Sequence, residues 1–362
     1  MEGRSSQLWG RFANRPHANP VGETVTKKDS GPAALIIQPG AVGDLILTLP
    51  LIRLLKAEYG YQRVDVAGHL ERLTYLVGKT AIDQAISIDR HSLHSLFIEP
   101  KSFHLTEDDP LIKLFRPYEL IATFLTDEQG HFEQNLIMTA LRTHSVEVVT
   151  LALRPPDDFR GHAAEFFIHQ FADQMVRKPH QHLARYLQTL LPQVEPPSDQ
   201  IDATPSADDK LKKNRRITLQ PGSGGVSKCW PIENFCELAA RLQQKDFRPL
   251  FLLGPAEIER WAQDDVARLK SQAQIIQDLT LDQVVGLLSQ SSAYIGNDSG
   301  ISHLAGAMGV PVLTIFGPSD PAHWRPLGSR SLVCCSDQPE MPWPCVEEVL
   351  LRLDELQIND VK

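Results

Sequence analysis

Residues 33–58, AALIIQPGAVGDLILTLPLIRLLKAE, decide the fold class. AALIIQ (33–38) is an apolar run of strand length, PGAVGD (39–44) is a glycine-rich turn, and Leu45 to Glu58 has the length and apolar spacing of a helix. Strand, glycine turn and helix open a unit in which parallel strands are joined by crossover helices. Downstream, VDVAG (64–68), AISI (85–88), YELIATFL (118–125) and VEVVTLAL (146–153) repeat the short apolar run, mostly with room for a helix between them. Residues 161–191 turn helical, and EPPSDQIDATPSADDKLKKN (195–214) has the composition of a linker.

A second series then repeats the first in kind. Strand RITLQ (216–220), glycine turn PGSGG (221–225) and helix PIENFCELAARLQQ (231–244) are followed by strand PLFLLG (249–254) and helix EIERWAQDDVARL (257–269). After a short strand near Ile275 come helix LDQVVGLLSQ (281–290), strand AYIG (293–296), turn NDSG (297–300), helix ISHLAGAMG (301–309) and strand VPVLTIFG (310–317). Two doubly wound α/β halves with a cleft between them follow from this order. A last apolar helix, 346–356, could close either half.

The bulk properties narrow the function. A length of 362 residues suits two domains, and 42% apolar with 22% charged residues excludes collagenous, low-complexity and wholly disordered chains. Lys+Arg 36 against Asp+Glu 45, a formal −9, argues against electrostatic capture of nucleic acid. Five cysteines, an odd number without a C-x-x-C pair, point to free thiols in a reducing compartment. Leu45 to Leu55, broken by Thr48, Pro50 and Arg53, falls short of the roughly 18 apolar residues of a spanning helix. Residues 1–30 lack the apolar core of a secretory signal, so a mobile extension and a cytoplasmic location are expected. Asn297-Asp298-Ser299 matches a glycosylation acceptor only formally.

Three glycine turns lie between a strand and a helix: Gly40-Ala41-Val42-Gly43-Asp44, Gly222-Ser223-Gly224-Gly225 and Asn297-Asp298-Ser299-Gly300. A helix start offers unpaired N–H groups and the positive end of the dipole, so phosphates bind there, and a plain turn with an N-cap is the alternative. Two such turns in one half, with Lys228 nearby and hydroxyls on Ser223, Ser227, Ser299 and Ser302, favour a diphosphate cradle. A dinucleotide fold would need G-x-G-x-x-G in the first turn. That turn reads G-A-V-G, the second has Ser227 where the third glycine belongs, and only Asp65, twenty-two residues after Gly43, supports a nicotinamide enzyme. The triphosphate loop G-x-x-x-x-G-K-[ST] is absent as well. Asp44 has two readings, a helix cap or a general base at the carboxyl end of the first strand, and Asp298 shares the ambiguity. His303 is either a packed core residue or a ligand. Without D-x-D, and with no H-x-x-x-H pairing among thirteen histidines, no metal site is expected. Cys334, Cys335 and Cys345 are read as buried thiols, with a zinc site as the alternative.

Three blocks, IIQPGAVGDLILTLPLIRLL, LQPGSGGVSKCWPIENFCELAARL and GNDSGISHLAGAMGVPVLTIFGPSDPAHWRPLG, together resemble glycosyltransferase family 9, the heptosyltransferase-type enzymes of lipopolysaccharide core assembly. The likeness covers residues 33 to 356. It implies an α/β GT-B fold, two Rossmann-like doubly wound domains facing a central cleft. Residues 1–32 would be the flexible extension, 33–194 the acceptor-binding domain, 195–214 the linker and 215–345 the nucleotide-sugar-binding domain. Residues 346–362 would form a helix and tail that could pack back on the first domain. By the same resemblance Gly43-Asp44 matches the family's G-D and makes Asp44 the base. Lys228-Cys229-Trp230-Pro231 matches K-x-W-P and puts Lys228 on the donor diphosphate. Asp298-Ser299-Gly300-Ile301-Ser302-His303-Leu304-Ala305 matches D-[ST]-G-x-x-H-x-A, the other wall of that site. Ser223, Gly224 and Gly225 join the diphosphate site, Glu257, Leu279 and Thr280 line the nucleoside, and Gly40 with Gly43 forms the acceptor-side loop.

The resemblance thus implies an inverting, metal-independent transfer of heptose from ADP-heptose to a lipopolysaccharide core-type acceptor. No cofactor or nucleic acid would take part, and peripheral contact with the cytoplasmic membrane face is expected. In such chemistry one carboxylate deprotonates the acceptor hydroxyl while fixed positive charge stabilises the departing diphosphate. The alternatives are another donor sugar, a protein or other glycan acceptor, an NAD-dependent oxidoreductase, and a sugar-nucleotide-binding protein without catalysis. Two features depart from the family. Residues 51–130 hold nine Lys or Arg against twelve Asp or Glu where a basic acceptor groove is usual, and Cys229 fills a slot where Arg or His is common.

Overall fold

The computed structural model describes residues 31–176, 191, 193–195, 215–338 and 340–358. The extension at 1–30, most of the linker at 195–214 and the later part of the 161–191 helical stretch lie outside the described residues.

The first half runs β1 (Ala33–Ile37), α1 (Val42–Ala57), β2 (Arg63–Gly68), the short α2 (Leu70–Leu73), β3 (Gln84–Ser87), α3 (Pro110–Phe115), β4 (Leu120–Thr123), α4 (His131–Ala140), β5 (Glu147–Thr150) and α5 (Ala163–Gln174). Its five strands are all parallel, in the order β3-β2-β1-β4-β5. The second half runs β6 (Arg216–Gln220), α6 (Ile232–Gln244), β7 (Arg248–Leu253), α7 (Pro255–Arg260), α8 (Gln263–Gln272), β8 (Gln274–Gln277), α9 (Leu281–Ser289), β9 (Ala293–Asn297), α10 (Gly300–Ala307), β10 (Val312–Ile315), α11 (Pro321–Trp324), β11 (Ser331–Cys334) and α12 (Val346–Glu355). Its six strands are also parallel, in the order β11-β10-β9-β6-β7-β8.

Central strands β1, β4, β9 and β10 are buried at every position, because helices cover both faces and a continuous apolar run can be used in full. The edge strands β3, β5, β8 and β11 are only partly buried. That is why SLVC (331–334), short and half-exposed, gives no strand signal in the sequence. The stretch 257–269 is two helices rather than one, since Trp261 and Ala262 are extended and Trp261 packs against the second-half core. Among the described residues, helix α12 packs on the core of the second half. Val346, Val349, Leu350 and Leu353 join Ile217, Phe235 and Leu238, and Arg241–Glu347 and Lys245–Asp354 ion pairs tie it to α6.

The halves meet where α1 crosses α10. A single apolar cluster runs through both, with Leu45, Leu49, Phe167 and Phe171 on one side and Val284, Leu304 and Ala305 on the other. A Cβ built on Gly300 would lie 2.9 Å from the Gly43 nitrogen, and one on Gly43 would crowd the His303 ring at 3.1 Å and the Gly300 Cα at 3.3 Å. Two histidines strap the rim. His162 Nε2 donates to the Arg325 carbonyl and His323 Nε2 donates to the Phe159 carbonyl, each at 2.8 Å. His162 Nδ1 also accepts from the Ala164 N–H at 3.2 Å, which fixes the ring as neutral. Val194 N–H donates to Ala307 and Glu195 N–H to Lys79, so the chain leaving the first half is bonded to both.

Burial holds His162 and His303 at about 4, below the ordinary imidazole range. Between pH 6.5 and 4 the unfolded chain binds protons at these rings that the folded chain does not, so each loses stability as pH falls through that window. The thermal midpoint of the wild type is expected to fall more steeply from pH 7 to pH 5 than that of His162→Gln, which lacks one titrating ring. Parallel pH profiles for the two proteins refute the assignment.

Candidate active site

Asp44 sits one turn into α1, at its third position, with Ala41 as the N-cap. Its carboxylate reaches back to accept the Ala41 N–H at 2.8 Å, so Asp44 does cap the helix, from inside it. The carboxylate lies under the Gly40 turn, where a Cβ on Gly40 would come within 2.5 Å of Asp44 Oδ2. The turn is held from several sides. Gly40 N–H donates to Gln38 Oε1 at 3.0 Å, Gln38 Nε2 donates to Thr48 Oγ1, and Arg72 Nη1 donates to the Gly40 carbonyl at 3.0 Å. Burial pushes the Asp44 carboxyl above its usual range, against the Ala41 hydrogen bond and the charges of Arg154, Arg72 and Lys228. A carboxylate with a raised proton affinity beside an open turn can accept a proton from a hydroxyl.

Lys228 comes from the other half. The loop after β6 is fixed by Trp230, whose indole donates to the Pro344 carbonyl at 2.9 Å and whose N–H donates to Asn297 Oδ1 at 3.0 Å. Asn297 Nδ2 donates in turn to the Pro221 carbonyl. Lys228 ends the single 3-10 turn Val226–Lys228 and pairs with Asp298 Oδ2 at 2.6 Å, the carboxylate being nearly buried and the ammonium about a third exposed. Gly224 and Gly225 stand open beside it, with no atom within 4 Å of a Cβ on Gly224. An ammonium so held, next to the N-terminus of α10, is a fixed cationic patch suited to a diphosphate.

The hydroxyls of Ser223, Ser299 and Ser302 are turned inward, whereas Ser227 is exposed. Ser223 Oγ donates to the Asp298 carbonyl and Ser302 Oγ to the Asn297 carbonyl, each at 2.6 Å. Ser299 caps α10 and donates to Gln220 Oε1, which also accepts from the Tyr294 hydroxyl. His303 is buried against Gly43, its Nδ1 without a hydrogen-bond partner. Ser223, Ser299, Ser302 and His303 therefore shape the two loops, while Lys228, Gly224 and Gly225 are partly or fully exposed. Glu257 is buried, accepts the Gly254 N–H at 2.6 Å and leaves no room for a Cβ on Gly222. Thr280 caps α9 and Leu279 packs on the shared core.

Asp65 is placed away from this region. It lies mid-strand in β2, buried, accepting the Tyr118 hydroxyl at 2.7 Å and pairing with Arg63 at 3.2 Å, so it cannot receive a nicotinamide ribose. Cys334 is buried, with its thiol pushed up to about 12 by burial, whereas Cys335 and Cys345 are exposed. Among the described residues no group of three or more His, Cys, Asp or Glu could hold a metal ion. Arg72 and Arg154 escape sequence reading, because nothing in HLERL or LALRPP marks them and only the fold carries them to Asp44.

The profile described as glycosyltransferase family 9 (heptosyltransferase) matches residues 157–350, more than half of the chain. Lipopolysaccharide heptosyltransferase 2 of Escherichia coli strain K12 is 25% identical over 326 residues, covering 83% of this chain and 86% of that one. Lipopolysaccharide heptosyltransferase 3 of the same strain is 27% identical over 117 residues, covering 32% of this chain and 34% of that one. The solved structure of E. coli ADP-heptose LPS heptosyltransferase II superposes with a TM-score of 0.63 at 18% identity, covering 91% of this chain and all of that one. That likeness shows the GT-B fold. Two parallel α/β halves, the loops that meet between them and a family match over more than half the length make this chain an enzyme of glycosyltransferase family 9.

Proposed function

We propose that the chain is an inverting transferase that moves heptose from ADP-heptose to a glycan acceptor of the lipopolysaccharide core type. The observation that carries this reading is the half-buried Asp44 carboxylate, its proton affinity raised, close to Lys228 of the opposite half. In the proposed step Asp44 takes the proton of an acceptor hydroxyl, the hydroxyl oxygen bonds to the anomeric carbon from the face opposite the donor, and the bond from that carbon to the diphosphate oxygen breaks. ADP leaves with the bonding electrons. Lys228, steadied by Asp298, and the N–H groups of Gly224, Gly225 and the first turn of α10 take up the charge that develops. Gly300, Ser299, Ser302 and His303 hold that turn in place. Glu257, Leu279 and Thr280 border the nucleoside, and the Gly40–Gly43 turn faces the acceptor.

This reading makes the first half the acceptor domain and the second the donor domain. It needs no metal, because positive charge for the leaving group is supplied by the protein. The relatives' names, lipopolysaccharide heptosyltransferases 2 and 3, support the donor and acceptor class. The acid excess of residues 51–130 is the observation on the side of the alternative acceptors, a protein or another glycan. No helix among the described residues is long and apolar enough to cross a membrane. Peripheral contact with the cytoplasmic membrane face belongs to the same proposal.

A panel of ADP, UDP, GDP and NAD tests the donor: ADP or ADP-heptose is expected to raise the thermal midpoint with EDTA present, and stabilisation by NAD alone, or only with magnesium, rejects the reading. An Asn amide oxygen can still accept the Ala41 N–H, so Asp44→Asn should keep its melting temperature and ADP affinity while turnover falls roughly 10²–10⁴-fold. Near-wild-type transfer in that variant removes Asp44 as the base. Lys228→Ala is expected to lower kcat roughly 10²–10³-fold and to weaken ADP binding, and an unchanged rate returns Lys228 to a surface role.

A further inference from the structure

We propose that Arg72 is the positioning residue of the reaction, the side chain that pins the Gly40 turn over Asp44 from the acceptor side. The inference rests on Asp44 being the base. Three groups grip the turn: Gln38 takes the Gly40 N–H, Asp44 takes the Ala41 N–H, and Arg72 takes the Gly40 carbonyl at 3.0 Å. The first two belong to the β1–α1 unit itself. Arg72 arrives from α2, which follows β2, and its bond joins the turn to that neighbouring segment, beside the Gln38 N–H that donates to the Ala67 carbonyl of β2.

The route it takes is fixed by close packing. Gly68 ends β2 so near Gln38 that a Cβ there would lie 2.6 Å from the Gln38 carbonyl oxygen. At that approach α2 begins, and it carries Arg72 within reach of the Gly40 carbonyl. Glu71 is a weak competitor, 3.8 Å from Arg72 Nε and mostly exposed. The guanidinium is about a third exposed and gives one N–H to Gly40. It therefore does two things at once: it stops the turn from lifting off the carboxylate, and it places a permanent positive charge beside the group that must ionise.

The charged groups facing Asp44 are Arg72 from α2, Arg154 from the segment after β5 and Lys228 from the second half. His303, packed on Gly43, is held neutral by burial. All three cations favour the ionised carboxylate, so losing one raises the pH at which Asp44 becomes active.

The test is the pH dependence of kcat in Arg72→Met, Arg72→Gln and Arg72→Lys, beside Asp44→Asn, with the ADP-induced thermal shift measured for each. Arg72→Met is expected to lose roughly 10–10²-fold in kcat, as a misplaced reacting group does, with its acid limb moved to higher pH and its ADP shift intact. Arg72→Gln, which can still donate to Gly40, should show the same displaced limb with a smaller loss of kcat. Arg72→Lys keeps the charge, so its limb should stay at the wild-type pH. If Arg72→Met does not fold, the Gln and Lys variants carry the comparison. A wild-type acid limb in both uncharged variants overturns the proposal, as does a lost ADP shift in a folded one. Full transfer by Asp44→Asn rejects the base and this inference with it, whereas an inactive Asp44→Asn beside an unchanged Arg72→Met rejects this inference alone.

Discussion

The contact between the Gly43 and Gly300 backbones is the constraint from which the site follows. Each glycine lies in the first turn of a helix that leaves the carboxyl end of a central strand, β1 in one half and β9 in the other, and a methyl group on either would meet the opposing chain. Two helix N-termini are thereby brought to one place. Their dipoles present like partial charges to each other. Asp44 lies inside the first turn of α1, and Asp298 just ahead of the Ser299 cap of α10. The two carboxylates beside the crossing are the ones that stand in the candidate site.

That crossing is backed by packing more like a domain core than like the polar interface usual between domains. Leu304 and Ala305 of α10 share one buried cluster with the α1 leucines and the phenylalanines of α5. The rim adds the reciprocal histidine bonds to Arg325 and Phe159. Apolar burial supplies the adhesion between halves, and the directional bonds at the rim set their angle. Asp44 and Lys228, which lie far apart in sequence, owe their proximity to both.

Within the second half, stiffness comes from a buried polar network. Gln220 accepts from Tyr294 and Ser299, Ser302 donates to Asn297, and Asn297 joins the loop after β6 to the one after β9. Gln220, Tyr294, Asn297 and Ser302 are buried, where an unmade hydrogen bond costs on the order of 1–3 kcal/mol. The loops are thus set before any ligand arrives, and Lys228 is aimed by Asp298 rather than by its own flexible stem.

The sequence by itself determined the fold class and most of the element order, because central parallel strands must be apolar on both faces and their helices must start at glycine turns. AALII, RITLQ, AYIGN and VLTI carry that signal, and the three glycine turns mark the loops that converge. It also singled out Asp44, Lys228 and Asp298, since residue type and position beside a helix start are local facts. Tertiary structure decided what local pattern cannot encode. It chose which half α12 closes, turned the hydroxyls of Ser223 and Ser302 inward, and took Asp65 out of contention by burying it against Tyr118 and Arg63. It alone brought Arg72 and Arg154 to Asp44, because the proton affinity of a carboxylate depends on burial and on charges that the chain delivers from distant strands, and neither is written in the residues on either side of it.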